Sequence, residues 1–221
     1  MVDVVENLRL VLGEIEKRAR EPVTLVAVTK NHGVEAMRLA IDGGVKNIGE
    51  NRIQEAAEKF AGLNREVTRH LIGHLQTNKA KQAVRLFDLI HSVDSEHLAA
   101  AIDKAAESVG KVQDVLIQVN LAKEDSKSGV YEENLQSTIE KIDALQNLRL
   151  RGLMLIAPNF PDVENCRPLF RRMNQIFRAI QSQRESFDFL SMGMTHDYKI
   201  AVEEGANVVR VGTAIFGERI Y

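Results

Sequence analysis

Residues 24–30 read TLVAVTK, a short apolar, β-branched run that ends in a lysine and leads into Asn31-His32-Gly33. It lacks clean polar alternation, which is the pattern of a strand covered on both faces, as parallel strands are. Comparable runs recur along the chain at KNIGE (46–50), TRHLIG (68–73), LIHSVD (89–94), DVLIQVN (114–120), LRGLMLIAP (150–158), FDFLSMGMT (187–195) and VVRVGTAIFG (208–217). The stretches between them have helical spacing. GVEAMRLAIDGG sets Val34, Met37, Leu39, Ala40 and Ile41 around one stripe and stops at Gly43-Gly44. SEHLAAAIDKAAESVG takes Asp94 or Ser95 as its cap and ends at Gly110, and NCRPLFRRMNQIFRAI carries Leu169, Phe170, Met173, Ile176, Phe177 and Ile180 three and four residues apart. A further helix is expected ahead of the first strand, over about residues 3–20. Strand candidates alternating in this way predict an α/β fold, a single TIM-type (β/α)8 barrel with an extra N-terminal helix. An open doubly wound sheet is the alternative, and the count of eight favours the barrel. One domain over 1–221 is expected, with no second β domain.

Composition narrows the function. The chain has 29 basic and 31 acidic residues, a net charge of -2, so no global field steers it to nucleic acid or anionic membrane. Lys79, Lys81 and Arg85 cluster without interleaved aromatics, which argues against a nucleic-acid surface, and Arg167, Arg171 and Arg172 read as a solvated helix face. A single cysteine, Cys166, forms neither an internal disulfide nor a thiolate cage, and the six histidines show no metal-ligand spacing. MVDVVENLRL has neither the basic nor the apolar region of a signal peptide, and no apolar run is long enough to span a bilayer. A cytoplasmic protein is expected.

In a barrel the reactive face is the carboxyl end of the strands, so the polar residues just past each run belong together. They are Lys30, Glu50-Asn51, His74, Asp94, Asn120, Ser191 to Thr195, and Arg210 with Gly212-Thr213. Lys30 by itself reads most simply as a strand-end lysine paired with Glu50.

Taken in order, VAVTK, IGENRIQEA, HLIGHLQTNK, EDSKSG, GLM, SMGMTHDYKIAVEEGA and VRVGTAIFG resemble the motifs of the pyridoxal phosphate homeostasis protein family, a relative of the N-terminal barrel of bacterial alanine racemase. The resemblance runs from about Leu25 to Gly217. It implies that Lys30 forms an internal aldimine with pyridoxal 5′-phosphate (PLP), an amine made nucleophilic by partial desolvation and a nearby cation. Gly212, whose backbone can approach a phosphate closely, and Thr213, with its N–H and hydroxyl, are implied as the phosphate site, joined by Ser191 and the backbone at Met192. Arg210 is two residues before Gly212 and so points to the same side; the resemblance sets it at the pyridine nitrogen, where a cation weakens the ring as an electron sink. Asn51 is implied near the phenolic oxygen and His74 near the cofactor, and Thr195 stands where serine is also common. SKSG (126–129) matches a family loop to which spacing assigns no role.

The implied function is a PLP-binding protein of intracellular PLP homeostasis and cofactor supply, without catalytic turnover. Its implied partners are PLP and, as recipients, PLP-dependent apoenzymes, with no nucleic acid or membrane. The alternative is a PLP-dependent amino-acid racemase. Two-base racemisation needs an acid or base on each face of the substrate; only Lys30 is clearly placed, the racemase's second β domain has no counterpart here, and terminal Tyr221 is a poor substitute. The same absence implies a monomer. A third reading is an aldolase whose lysine takes a sugar-phosphate carbonyl, which would be colourless where a PLP protein absorbs in the visible.

Overall fold

The apolar runs become strands β1 (Thr24–Val28), β2 (Asn47–Glu50), β3 (Thr68–Leu71), β4 (Leu89–Val93), β5 (Gln113–Val119), β6 (Leu148–Leu155), β7 (Phe189–Met194) and β8 (Val208–Val211). Each pairs in parallel with the next, and β8 returns to β1 with Thr24 opposite Val208 and Val26 opposite Arg210, so the sheet is a closed barrel. This computed structural model describes residues 2–124 and 127–218; Ser126 of the SKSG stretch and Tyr221 lie outside the described residues.

The helices are α1 (Val4–Glu16), α2 (Val34–Asp42), α3 (Ile53–Ala61), α4 (Ala80–Leu86), α5 (Glu96–Glu107), α6 (Leu135–Asp143), α7 (Arg167–Gln181), α8 (Tyr198–Glu203) and α9 (Thr213–Phe216). Their ends follow side-chain chemistry. Asp3 caps α1 by accepting from the Glu6 N–H at 2.9 Å, and Ser95 caps α5 by accepting from the Leu98 N–H at 3.3 Å. Met37 and Ala40 of α2, and Phe170, Met173 and Phe177 of α7, form the buried stripes that their spacing predicts.

The last run departs from expectation. Residues 208–217 read as one strand, but the sheet ends at Val211 and 213–216 form a single helical turn, with the Ile215 and Phe216 N–H groups on the Gly212 carbonyl at 2.8 and 3.0 Å. The reason is at Gly212. There the chain crosses the end of β1 so closely that a Cβ would lie 3.0 Å from the Val28 carbonyl oxygen. A one-turn α9 is too short to cover the β8–β1 seam. α1 packs against α9, α2 and α8 and covers it instead, burying Val4, Leu8, Val11 and Ile15. Asn7 Nδ2 donates to the Ile215 carbonyl at 3.1 Å and ties the two ends of the described chain together.

The main apolar core fills the layer between sheet and helices, and Cys166 is buried in it. A second, small cluster of Leu89, Leu116 and Met154, with Ile156 and Phe189, is separate from it. His91 is two residues on from Leu89, and Ser191 two on from Phe189, so both share that inner face. The barrel therefore has a partly polar interior. No helix of the described residues is long and apolar enough to cross a membrane.

Candidate functional site

At the carboxyl mouth of the barrel a cavity of about 260 Å³ is lined by Val28, Lys30, His32, Asn51, Ile72, Ile156, Met194, Thr195, His196, Arg210, Gly212 and Thr213. Five expected residues thus converge: Lys30, Asn51, Arg210, Gly212 and Thr213. Among the described residues its wall holds a lysine, an arginine, two imidazoles and two threonine hydroxyls, and no carboxylate. This donor set suits an anion.

Lys30 belongs to a turn clamped from α3. Lys59 Nζ donates to the Thr29 carbonyl at 2.7 Å, to Glu50 Oε1 at 2.8 Å and to Glu55 Oε1 at 2.5 Å. Glu55 in turn accepts from the Asn31 N–H, and Asn31 takes the left-handed conformation at φ 64°. Backbone groups on both sides of Lys30 are thereby held. Glu50 is fully buried and also accepts from Thr29 Oγ1 at 2.6 Å. Burial pushes its carboxyl above the ordinary range, against the pull of Lys59 and Thr29. Lys59 is thus a lysine bonded to Glu50. Sequence reasoning missed this role, although Glu55 and Lys59 stand four apart, at the spacing of helical ion pairs.

Asn51 follows β2 and is seated against Gly73. A Cβ on Gly73 would lie 2.3 Å from the Asn51 carbonyl oxygen, so only glycine admits that approach. The Asn51 Oδ1 is buried without a partner among the described residues, an acceptor in want of a donor.

Arg210 lines the cavity yet is only 3% exposed. Its Nη1 donates to Ser191 Oγ at 2.7 Å and its Nη2 to the Leu155 carbonyl at 3.0 Å. Burial lowers its pKa to about 10, with Asp197 opposing, so it is charged at neutral pH. Asp197 holds the turn after β7 by accepting from the Met194 N–H at 2.6 Å. That turn needs Gly193, at φ 93°, where a Cβ would lie 2.6 Å from Ala201 Cβ and 2.9 Å from Tyr198 Cα. Thr195 Oγ1 then accepts from the Gly212 N–H at 3.3 Å, joining the ends of β7 and β8. Since the α9 turn uses the N–H groups of Ile215 and Phe216, those of Thr213 and Ala214 stay outside its ladder.

Three expected residues are elsewhere. Ser191 is fully buried in mid-strand and does not line the cavity, because β7 runs on to Met194. Of the segment from Ser191 to Thr195, the hydroxyl that reaches the mouth is that of Thr195. The Met192 side chain faces the opposite way, into the outer core. His74 lies three residues past β3 with its side chain 58% exposed, in a groove with Asp94; its Nδ1 is 3.2 Å from Asp94 Oδ2 and 3.2 Å from Ser128 Oγ. The histidines inside the barrel are instead His70 and His91, whose Nδ1 and Nε2 are 2.9 Å apart.

Residues 5–220 match the family model of the alanine racemase N-terminal domain. The pyridoxal phosphate homeostasis protein of Aquifex aeolicus (strain VF5) is 40% identical over 98% of this chain and 98% of its own length. The chain belongs to the pyridoxal phosphate homeostasis protein family. A solved structure 37% identical, PipY of Synechococcus elongatus PCC7942 with PLP bound, superposes with a TM-score of 0.87 over 97% of this chain and all of that one. The alanine racemase of Clostridium difficile 630 is 17% identical, with a TM-score of 0.74 over 96% of this chain and 60% of that one, and shares the fold. For a member of this family, the cavity wall described above fits PLP by its chemistry: cations and hydroxyls for an anionic group, an amine for a carbonyl, and an orphaned acceptor for a hydroxyl.

Proposed function

We propose that the cavity holds PLP and that the protein stores and passes on this cofactor without turning over a substrate. The observation that carries the reading is the meeting, in one carboxylate-free cavity, of the Lys30 amine, the buried Arg210 guanidinium and the Gly212-Thr213 backbone. PipY, bound to PLP in a structure of the same fold and family, supports it. Bound PLP supplies an aldehyde that an amine can capture and a ring that withdraws electrons.

The residues divide the work of binding. Lys30, held by the Lys59 clamp, presents its amine at the mouth. Gly212 and Thr213, with Thr195 alongside, offer N–H groups and hydroxyls to a phosphate. With PLP in place, Asn51 Oδ1 would accept from the ring hydroxyl and Arg210 would face the ring nitrogen. A fixed guanidinium disfavours a proton on that nitrogen and so weakens the ring as an electron sink. This, rather than a shortage of proton carriers, speaks against turnover, because His32 and His196 also line the cavity. The protein is then a cytoplasmic monomer whose recipients are PLP-dependent apoenzymes.

The purified protein should take up PLP with a visible absorbance band, and borohydride reduction with peptide mapping should place the pyridoxyl group on Lys30. An adduct on Lys46 or Lys79 instead would sink the assignment. Multiple-turnover deuterium exchange at the α-carbon of an amino acid, abolished in Lys30→Ala, would make the protein an enzyme.

A further inference from the structure

Inside the barrel, five polar side chains from five strands form one unbroken file: Asn47, His70, His91, Ser191 and Arg210. His70 Nε2 is 3.0 Å from Asn47 Oδ1, His70 Nδ1 is 2.9 Å from His91 Nε2, and His91 Nδ1 is 3.0 Å from Ser191 Oγ. Arg210 Nη1 closes the file on Ser191 Oγ at 2.7 Å. His70, His91, Ser191 and Arg210 are all buried, and of the five only Arg210 lines the cavity.

The two ends fix the direction. A guanidinium only donates, so Ser191 Oγ accepts from Arg210. The Asn47 carbonyl oxygen only accepts, so His70 carries its hydrogen on Nε2 and, in a neutral ring, accepts at Nδ1. His91 must then carry its hydrogen on Nε2 and accept at Nδ1 from the Ser191 hydroxyl. The reverse direction would make Ser191 accept from both neighbours and would point its own hydrogen at no acceptor in a fully buried place. Burial holds both rings neutral: His70 is pushed down to about 4, and His91 well below its usual range, with His70 and Arg210 adding to the effect.

We propose that His91 and His70, acting through Ser191, are positioning residues for Arg210: a one-way file of donors from Arg210 through Ser191, His91 and His70 to Asn47 fixes the rotation of the guanidinium. The Leu155 carbonyl fixes its second nitrogen, so two of the five guanidinium N–H donors are held from within the barrel and the remaining edge is aimed at the cavity. The direction of the file stands without any ligand; its effect on PLP rests on the reading of the cavity given above.

Two measurements test the two parts. Long-range 1H–15N correlation on [15N]histidine-labelled protein without cofactor should show His70 and His91 at pH 7.5 with hydrogen on Nε2 and a bare Nδ1. Hydrogen on Nδ1 of either ring, or on both nitrogens, overturns the file. Equilibrium dialysis and the visible band of bound PLP then compare variants. Ser191→Ala and His91→Leu should bind PLP about tenfold more weakly and shift the band, as expected for an arginine that has lost an ordered acceptor. His91→Gln, whose amide can both accept from Ser191 and donate to His70, should bind within about twofold of wild type with the band in place. If folded Ser191→Ala binds like wild type with an unmoved band, the residues only pack the interior and the proposal fails. If the wild type itself takes up no PLP, the cavity reading fails, and the tautomers alone decide whether the file exists.

Discussion

Lys30 and the residues at the ends of β7 and β8 make separable contributions to binding. Lys30→Ala should lose the reducible adduct yet retain PLP in equilibrium dialysis, because contacts at Gly212, Thr213 and Thr195 do not pass through the lysine. Charge-assisted hydrogen bonds contribute roughly 1.5–3 kcal/mol each, so two or three hold a phosphate weakly after ordering losses. Complete loss of binding in that variant would show that the phosphate site is misplaced. Gly193 offers a test of the scaffold under the site. At φ 93°, with Ala201 Cβ and Tyr198 Cα crowding the position of a side chain, Gly193→Ala should cost about 2–4 kcal/mol in urea unfolding. A cost under about 0.5 kcal/mol, the size of an ordinary surface change, would mean that the turn relaxes freely.

At the scale of elements, α3 governs the turn that carries Lys30. Lys59→Met removes the cation from buried Glu50 and from the Thr29 carbonyl together. Unfolding should cost about 3–5 kcal/mol, since a buried carboxylate loses its partner, and adding Glu50→Gln should recover part of that. The rate of adduct formation at Lys30 should fall in the single variant; an unchanged rate would show that the clamp is not needed for its placement. The strands themselves were legible in the sequence, because eight runs apolar on both faces leave few other folds. The candidate site was legible toward the carboxyl ends of the runs, where Lys30, Asn51, Gly212 and Thr213 stand and the cavity opens. Two kinds of residue escaped. The sequence alone places Ser191 at the mouth because apolar SMGM hides how far β7 extends; it is Thr195, four residues on, that lines the cavity. His70 and His91 sit within their runs, and nothing in one strand shows that barrel closure brings their rings together from separate strands.

For the whole molecule, the buried histidines set a pH dependence. A histidine kept neutral in the fold takes up its proton only in the unfolded chain, so stability is full above about pH 6.5 and falls as pH drops toward His70's folded value of about 4. Each such ring withdraws up to about 1.4 kcal/mol per pH unit in that window. Glu50 and Asp197, whose carboxyls burial raises, act in the opposite sense and are common to any pair of variants. His70→Gln should therefore flatten the slope of unfolding free energy against pH by nearly one proton between about pH 6 and 4.5. An unchanged slope would mean that His70 is already protonated in the fold. The barrel's closure has another consequence, for the order in which the molecule is made. α1 is synthesised ahead of the strands, but part of its seat is built from α8 and from the α9 turn that follows the last strand, and the bond from Asn7 to Ile215 spans 208 residues. The nascent helix waits, its apolar stripe incompletely covered, until α8 and α9 have left the ribosome. Contacts between such distant residues form slowly because a long loop must close first. The final seam of the barrel is thus a late step, and the growing chain has a partly exposed apolar helix for a chaperone to hold in the meantime.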